Sequence, residues 1–164
     1  MFDLVQYESR FKFKNLREFD IEESRYRYDF GELSQLSLED YQAVFQTELP
    51  YKNVERYPYY FYSLQNQWKS HSSIAILHYK EGIYTEISLI THDEKGKKVD
   101  ELLLTEAGGD GAWTFGTKSK YLNDSSIQSY SYEWWEEEND TAILSITKKY
   151  ERRYSIGSMG NEVV

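Results

Sequence analysis

The stretch Ser73-Ile-Ala-Ile-Leu-His-Tyr-Lys80, Glu81-Gly82, Ile83-Tyr-Thr-Glu-Ile-Ser-Leu-Ile-Thr-His92, Asp93-Glu-Lys-Gly-Lys97, Lys98-Val-Asp-Glu-Leu-Leu-Leu-Thr105 decides the fold class. It reads as three strands joined by two tight turns. Gly96 can adopt the positive φ that closes a type I turn with a bulge, and Lys80-Glu81-Gly82 marks the other reversal. Ile74, Ala75, Ile76 and Leu77 are apolar at successive positions, which predicts a central strand covered on both faces. In the neighbouring segment Ile83, Ile87 and Leu89 oppose Tyr84, Glu86 and Ser88, the period-two pattern of a strand.

The same punctuation continues outward. Tyr59–Gln65 precedes this unit, and Trp113–Leu122, Ser126–Glu136 and Thr141–Tyr154 follow it. Asn123-Asp124-Ser125 and Glu138-Asn139-Asp140 fill the last gaps. Strand after strand with short turns and no intervening helix predicts an antiparallel meander, closed as a sandwich or a partly open barrel. In the N-terminal third, Phe2–Tyr7 and Ser24–Phe30 read as strand pieces. One helix is expected: Ser37 and Asp40 form an S-x-x-D capping box, and Leu38, Tyr41, Val44 and Phe45 make one stripe. Pro50 is expected to end it. Residues 1–156 thus form a single mainly β domain, and 157–164 read as a loose tail.

Composition narrows the function classes. The chain has 16 Tyr, 8 Phe and 4 Trp in 164 residues, so large rings rather than aliphatics supply much of its core. Twenty-eight acidic against 19 basic residues leave a net charge of −9, which disfavours nucleic acid, whose affinity comes from Lys and Arg releasing counterions. A basic protein partner is the natural complement, while solubility alone also accounts for such a charge. With no cysteine there is no disulfide, thiolate nucleophile or Cys-ligated zinc. No stretch has the length of a membrane span, and Met1–Asp20 lacks the apolar core of a leader. The chain reads as cytoplasmic as it stands, or as periplasmic or surface-exposed if a leader has been removed.

No motif commits the chain to a chemistry, so binding rather than catalysis is expected and no cofactor is implied. Ala107-Gly108-Gly109-Asp110-Gly111 lacks the Lys-Ser/Thr of a phosphate loop and reads as a wide turn, with Asp110 able to meet a ligand at the sheet rim. His71, His78 and His92 have no metal-motif spacing; His78 and His92 could meet across the Gly82 turn but would need a third ligand. Glu86, Asp100, Glu101, Glu106, Asp110 and Glu133 lie on or near strands, where abundance prevents choosing a catalytic pair. The most distinctive patch is Tyr130-Ser-Tyr-Glu-Trp-Trp-Glu-Glu-Glu138. Alternation puts Tyr130, Tyr132 and Trp134 on one face and Glu133 and Trp135 on the other. Tyr132, Trp134 and Trp135 are candidate anchors, and Glu136, Glu137 and Glu138, at a hairpin tip, candidate steering charges. A second cluster is Tyr57–Tyr62. Rings half in the core with hydroxyls at the rim explain many such tyrosines without any ligand.

The segment Tyr84–Leu102 followed by Gly108-Gly109-Asp110 resembles small β-sheet proteins of Bacteroidota, exported or lipoprotein-like. In these a strand ending in Leu-x-Thr-Tyr/His-Asp precedes a Lys-Gly-Lys turn and an Ile/Val-Asp-x-Leu strand. The resemblance covers about the C-terminal two thirds and implies an all-β domain, often lipid-anchored, with no settled activity. This chain departs from the pattern in lacking a lipobox cysteine. By analogy with small acidic immunity proteins, the leading expectation is a non-enzymatic inhibitor or immunity protein for a basic, toxin-like partner. The alternative is an extracytoplasmic carbohydrate-binding or cell-surface domain whose rings stack on sugars.

Overall fold

The computed structural model describes residues 1–21, 30–47, 56–67, 70–80, 84–109, 112–139 and 142–155, with side chains throughout except at 30, 66, 67, 136–139 and 142–146. Its long strands follow the turn chemistry in chain order: β4 (Tyr59–Gln67), β5 (His71–Lys80), β6 (Tyr84–Asp93), β7 (Lys98–Gly109), β8 (Trp113–Asn123), β9 (Ser126–Asn139) and β10 (Ala142–Ser155). Each pairs antiparallel with the next. Three two-residue strands complete one ten-stranded sheet: β1 (Phe13–Lys14), β2 (Glu18–Phe19) and β3 (Ser34–Gln35). The expected antiparallel meander forms as one open sheet in the order β1-β4-β5-β6-β7-β8-β9-β10, with β3 added on β4 and β2 on β8. It is mainly antiparallel, with β1 running parallel to β4.

The turns behave as their residues require. Gly96 has φ of 76° and donates its N–H to the Asp93 carbonyl, while Asp93 Oδ1 accepts from the amides of Lys95 and Lys97. Asn123 Oδ1 accepts from Ser125 N to reverse the chain between β8 and β9. Asn139 and Glu138, expected in a turn, instead extend β9 opposite Ala142 and Ile143. Ala107–Gly109, expected as a loop, belong to β7. Residues 81–83, 110–111 and 140–141 lie outside the described set.

Ile74, Ala75, Ile76 and Leu77 are each at most 1% exposed, as expected of a doubly covered strand. Ile74 and Ile76 face one core with Ile90, Phe61 and Leu64. This core is closed by α2 (Leu38–Phe45) and by the N-terminal Phe2 and Phe11. Ala75 and Leu77 face a second core with Ile87, Leu89 and Leu104, closed by Phe19, Ile21, Tyr121 and Ile127. β6 is buried on both faces along its middle, more than simple alternation implies: Thr85, Ile90 and His92 are at 0% exposure beside Ile87 at 1%.

The second core depends on a wedge. β7 and β8 pair only through Glu106–Gly109 and Thr114–Thr117, then part. β2 takes up the freed edge of β8, pairing Glu18 with Lys120 and Phe19 with Ser119. The Ile21 amide donates to Thr105 Oγ1, whose hydroxyl donates to the Thr117 carbonyl, so the N-terminal segment ties the two diverging strands together.

The capping box forms as read: Ser37 Oγ accepts from Asp40 N at 3.1 Å and Asp40 Oδ2 from Ser37 N at 2.8 Å. The helix stops at Phe45, before Pro50, because Gln46 turns left-handed at φ 54°. Its amide compensates that strain by donating to the Gly96 carbonyl (2.7 Å) and accepting from Lys98 N (3.1 Å). Phe2–Tyr7 is not a strand: Asp3 caps a second short helix, α1 (Leu4–Tyr7), through Oδ1 to Val5 N. Only Phe30 of the expected Ser24–Phe30 strand is described, and it opens a 3-10 turn, Phe30–Glu32. The tail 157–164 lies outside the described residues.

Arg10 was not singled out by sequence, yet it joins three pieces. Its guanidinium reaches Asp40 Oδ2 and the Gln35 carbonyl, each at 2.7 Å, and Ser34 Oγ at 2.9 Å, and lies 4.3 Å from the Phe61 ring centroid. Burial pushes the Asp40 carboxyl up, but the Ser37 amide and Arg10 outweigh it and hold the group below its usual range.

Candidate functional site

α2 covers only part of its sheet face. Beyond the helix the same face continues across β5 to β9 as a row of rings. Tyr41 meets Tyr59 at 4.9 Å, and Tyr59 stacks on His78 at 3.9 Å with planes 5° apart. His78 meets Tyr84 edge-on at 6.4 Å, Tyr84 meets Phe115 at 6.1 Å, and Phe115 meets Trp113 at 4.6 Å. Trp113 pairs in register with Trp135, and Lys148 Nζ sits 5.1 Å over the Trp135 ring. Tyr84 and Phe115 are on strands that do not pair with each other. They meet because the residue of β7 between them in register is Gly108, which has no side chain to separate them. Trp113 is 39% exposed at the outer end, whereas His78 is nearly covered.

Carboxylates run beside the rings. Glu86 lies opposite both His78 and Glu106, and Glu133 lies opposite Phe115. Glu86 Oε1 is 3.1 Å from His78 Nδ1. Glu106 Oε1 accepts from Thr117 Oγ1 at 3.2 Å, and Thr117 in turn bonds Ser131. Like charges placed directly across a ladder oppose folding, and Glu106 forms no ion pair among the described residues. Burial pushes the Glu106 carboxyl up, the Thr117 hydrogen bond draws it down, and the Glu86 charge adds to the rise.

Where the row passes under α2 there is a cavity of about 110 Å³, lined by Tyr41, Tyr59, His78, Glu86, Lys98 and Glu101 among others. His78 held by a glutamate has the form of an oriented general base. The other polar groups are occupied with one another: the Tyr59 hydroxyl bonds that of Tyr41, and Lys98 pairs with Glu101. Burial pushes both tyrosine hydroxyls up, so they stay protonated. A larger hollow of about 390 Å³ lies at the opposite end of the sheet, between Met1–Leu4, His71 and the Asp93–Gly96 turn.

Of the anchors read from sequence, Trp135 joins the row. Tyr132 and Trp134 point to the other face, as strand alternation requires: Tyr132 lies over Gly116, where a β-carbon would come within 2.6 Å of its ring, and Trp134 is opposite Thr114. Glu136, Glu137 and Glu138 are not at a hairpin tip but within β9, opposite Ser145, Leu144 and Ile143. Asp110 lies outside the described residues. His78 and His92 do not meet: His78 is opposite Glu86 and His92 opposite Ser72. His92 is instead fully buried, stacked on Phe2 at 4.3 Å, with Nε2 2.7 Å from the Val44 carbonyl. Among the described residues no three His, Asp or Glu side chains gather as metal ligands, and no helix is long and apolar enough to cross a membrane.

Tyr84, Phe115 and Trp113 were missed as site residues. The one signal available was Gly108 within an otherwise strand-like run, since a strand glycine often marks a close approach. No family model, curated protein or solved structure matches the chain.

Proposed function

We propose that this chain is a non-enzymatic protein-binding domain that receives a basic surface of another protein on the aromatic and acidic face of its sheet. One observation carries the reading: Tyr84, Phe115, Trp113 and Trp135 form a continuous partly open row with Glu86, Glu106 and Glu133 set among them. Rings of this kind bury large area with little loss of side-chain freedom, which is why Tyr and Trp dominate interface hot spots. Incoming Lys or Arg side chains would relieve the repulsion between Glu86 and Glu106 and lie over ring faces. The net charge of −9 would speed the encounter with such a partner. An inhibitor or immunity protein covering a basic toxin site is the specific form of this proposal. The anchors then are Trp113, Phe115, Tyr84 and Trp135 rather than Tyr132 and Trp134.

The test is paired affinity capture with the wild-type chain and a Trp113→Ala/Glu133→Lys variant as baits. A basic protein held by the first and lost from the second, with association slowing as salt rises, supports the proposal. Identical captures from both baits reject it. Sugar stacking on Trp113 and Trp135 uses the same rings and predicts the opposite dependence: oligosaccharides would quench tryptophan fluorescence to the same extent at low and high salt.

A further inference from the structure

A second surface of opposite sign lies on the outer strand. β9 and β10 pair one-to-one from Asn139–Ala142 to Ser126–Ser155 with no register shift, whereas β4–β5 and β6–β7 are each interrupted by two and β8–β9 by one. β10 is the last strand of the sheet, and no described residue pairs with its outer side. Straight open edges of this length present a row of unpaired amides and carbonyls, and proteins normally shorten, bulge or cover them.

The side chains on this edge run against the charge of the whole chain. Lys148, Lys149, Arg152 and Arg153 fall within six residues, all exposed, in a chain of net charge −9. Glu151 is the strand's single acid, and it bonds Gln128 and lies 4.0 Å from Arg153. Lys148, Lys149 and Arg152 have no carboxylate partner among the described residues. Lysines on an edge can serve only to repel. Here what they repel is specific: two copies of β10 paired about Tyr150 would set Lys148 against Arg152 and Lys149 against Glu151, and a shift of two residues sets Lys149 against Arg153 and Glu151 against Glu151. The edge therefore sets like charges together in both registers, although Lys149 with Glu151 attracts in the first, and it opposes a basic strand at its four cations. It does not discourage an acidic one.

We infer that the outer edge of β10 is a docking site for an acidic, extended segment of a partner protein, which adds to the sheet as a further strand. Main-chain hydrogen bonds to the open ladder supply affinity, and acids opposite Lys148, Lys149, Arg152 and Arg153 supply selection. The edge adjoins the aromatic face through Lys148, which also lies over the Trp135 ring, but selects acidic groups where that face selects basic ones.

The probes are labelled ten-residue peptides Val-Val-Glu-Glu-Val-Val-Glu-Glu-Val-Val, whose acids can meet all four cations, and the same peptide with Lys for Glu, followed by fluorescence anisotropy and by amide hydrogen exchange of the full chain. The acidic peptide should bind at least about tenfold more tightly than the basic one and slow exchange along β10. A Lys149→Glu/Arg152→Glu variant, shown folded by near-ultraviolet circular dichroism, should lose that preference. Equal binding of the two peptides, no binding up to millimolar concentration, or binding that leaves β10 exchange unchanged would overturn the proposal. So would sedimentation showing that β10 is taken by a second copy, or protection of β10 by a single-stranded oligonucleotide but not by the acidic peptide.

Discussion

Replacing Gly96 by alanine should be among the most damaging single-methyl changes in this molecule. At φ 76° the residue is in a region that L side chains enter at a cost of about 1–2 kcal/mol. Its added β-carbon would lie 2.0 Å from the Phe2 carbonyl oxygen and 3.0 Å from the Phe2 carbonyl carbon, so backbone, not a flexible side-chain tip, must give way. The N-terminal segment has little freedom to move. Phe2 is 4% exposed, stacked on His92 at 4.3 Å and Tyr7 at 5.1 Å, and its amide donates to the Gly96 carbonyl at 3.1 Å. Losing most of that burial costs about 2–3 kcal/mol, somewhat less than a full Phe→Ala truncation. Gly96→Ala should therefore lower stability by about 4 kcal/mol in urea unfolding followed by tryptophan fluorescence. In a Phe2→Ala background, where the segment no longer has a ring to hold it, the added cost should fall to the backbone strain of about 1–2 kcal/mol. A cost below about 1 kcal/mol in the wild type, or the same cost in both backgrounds, would refute the reasoning.

Two further predictions concern acid and base. Burial pushes the His92 ring down from 6.5, with Lys98 adding to the fall, so its neutral form stabilises the fold above pH 6.5. That stability is lost as pH drops below 6.5 toward the folded value. Urea midpoints measured between pH 7 and pH 5 should fall more steeply for the wild type than for His92→Phe, and parallel curves would exclude His92 as the cause. Glu106 has the opposite sign: its carboxyl is raised above 4.5, so its favourable contribution exists below that pH and is lost as pH rises through the folded value. Glu106→Gln should stabilise the protein at pH 7 by about 0.5 kcal/mol and leave it unchanged near pH 4, as read from the same unfolding curves.

The strands of the meander were legible because period-two alternation and turn residues are local signals. Gly96, Asn123 and the Ser37–Asp40 capping box each act within a few residues of themselves, and each forms as read. What sequence hid is non-local. β1, β2 and β3 are two residues long and exist only because β4 and β8 offer free edges, so no periodicity marks them. Phe2–Tyr7 alternates acceptably for a strand, but Asp3 caps a helical turn and Phe2 finds His92, far away in the chain. The candidate site failed in the same way. Strand alternation placed Trp135 and Trp134 on opposite faces, but only the cross-strand register shows that Trp135 continues a row through Trp113, Phe115 and Tyr84, and that Gly108 is the gap allowing it.

The wedge of residues between β7 and β8 also has a consequence in time. Glu18 pairs with Lys120, Arg17 bonds Asp124 at 2.8 Å, and the Ile21 amide waits for Thr105. On a ribosome adding about 5–20 residues each second, a stretch of roughly 100 residues separates the first partner from the second by several seconds or more. Closing so long a loop before any contact rewards it is what slows β-rich chains. The meander from β4 onward needs only its immediate neighbours, so the segment made before it is the last to find its place, and Phe19 and Ile21 stay open to solvent and chaperones until β8 has been made.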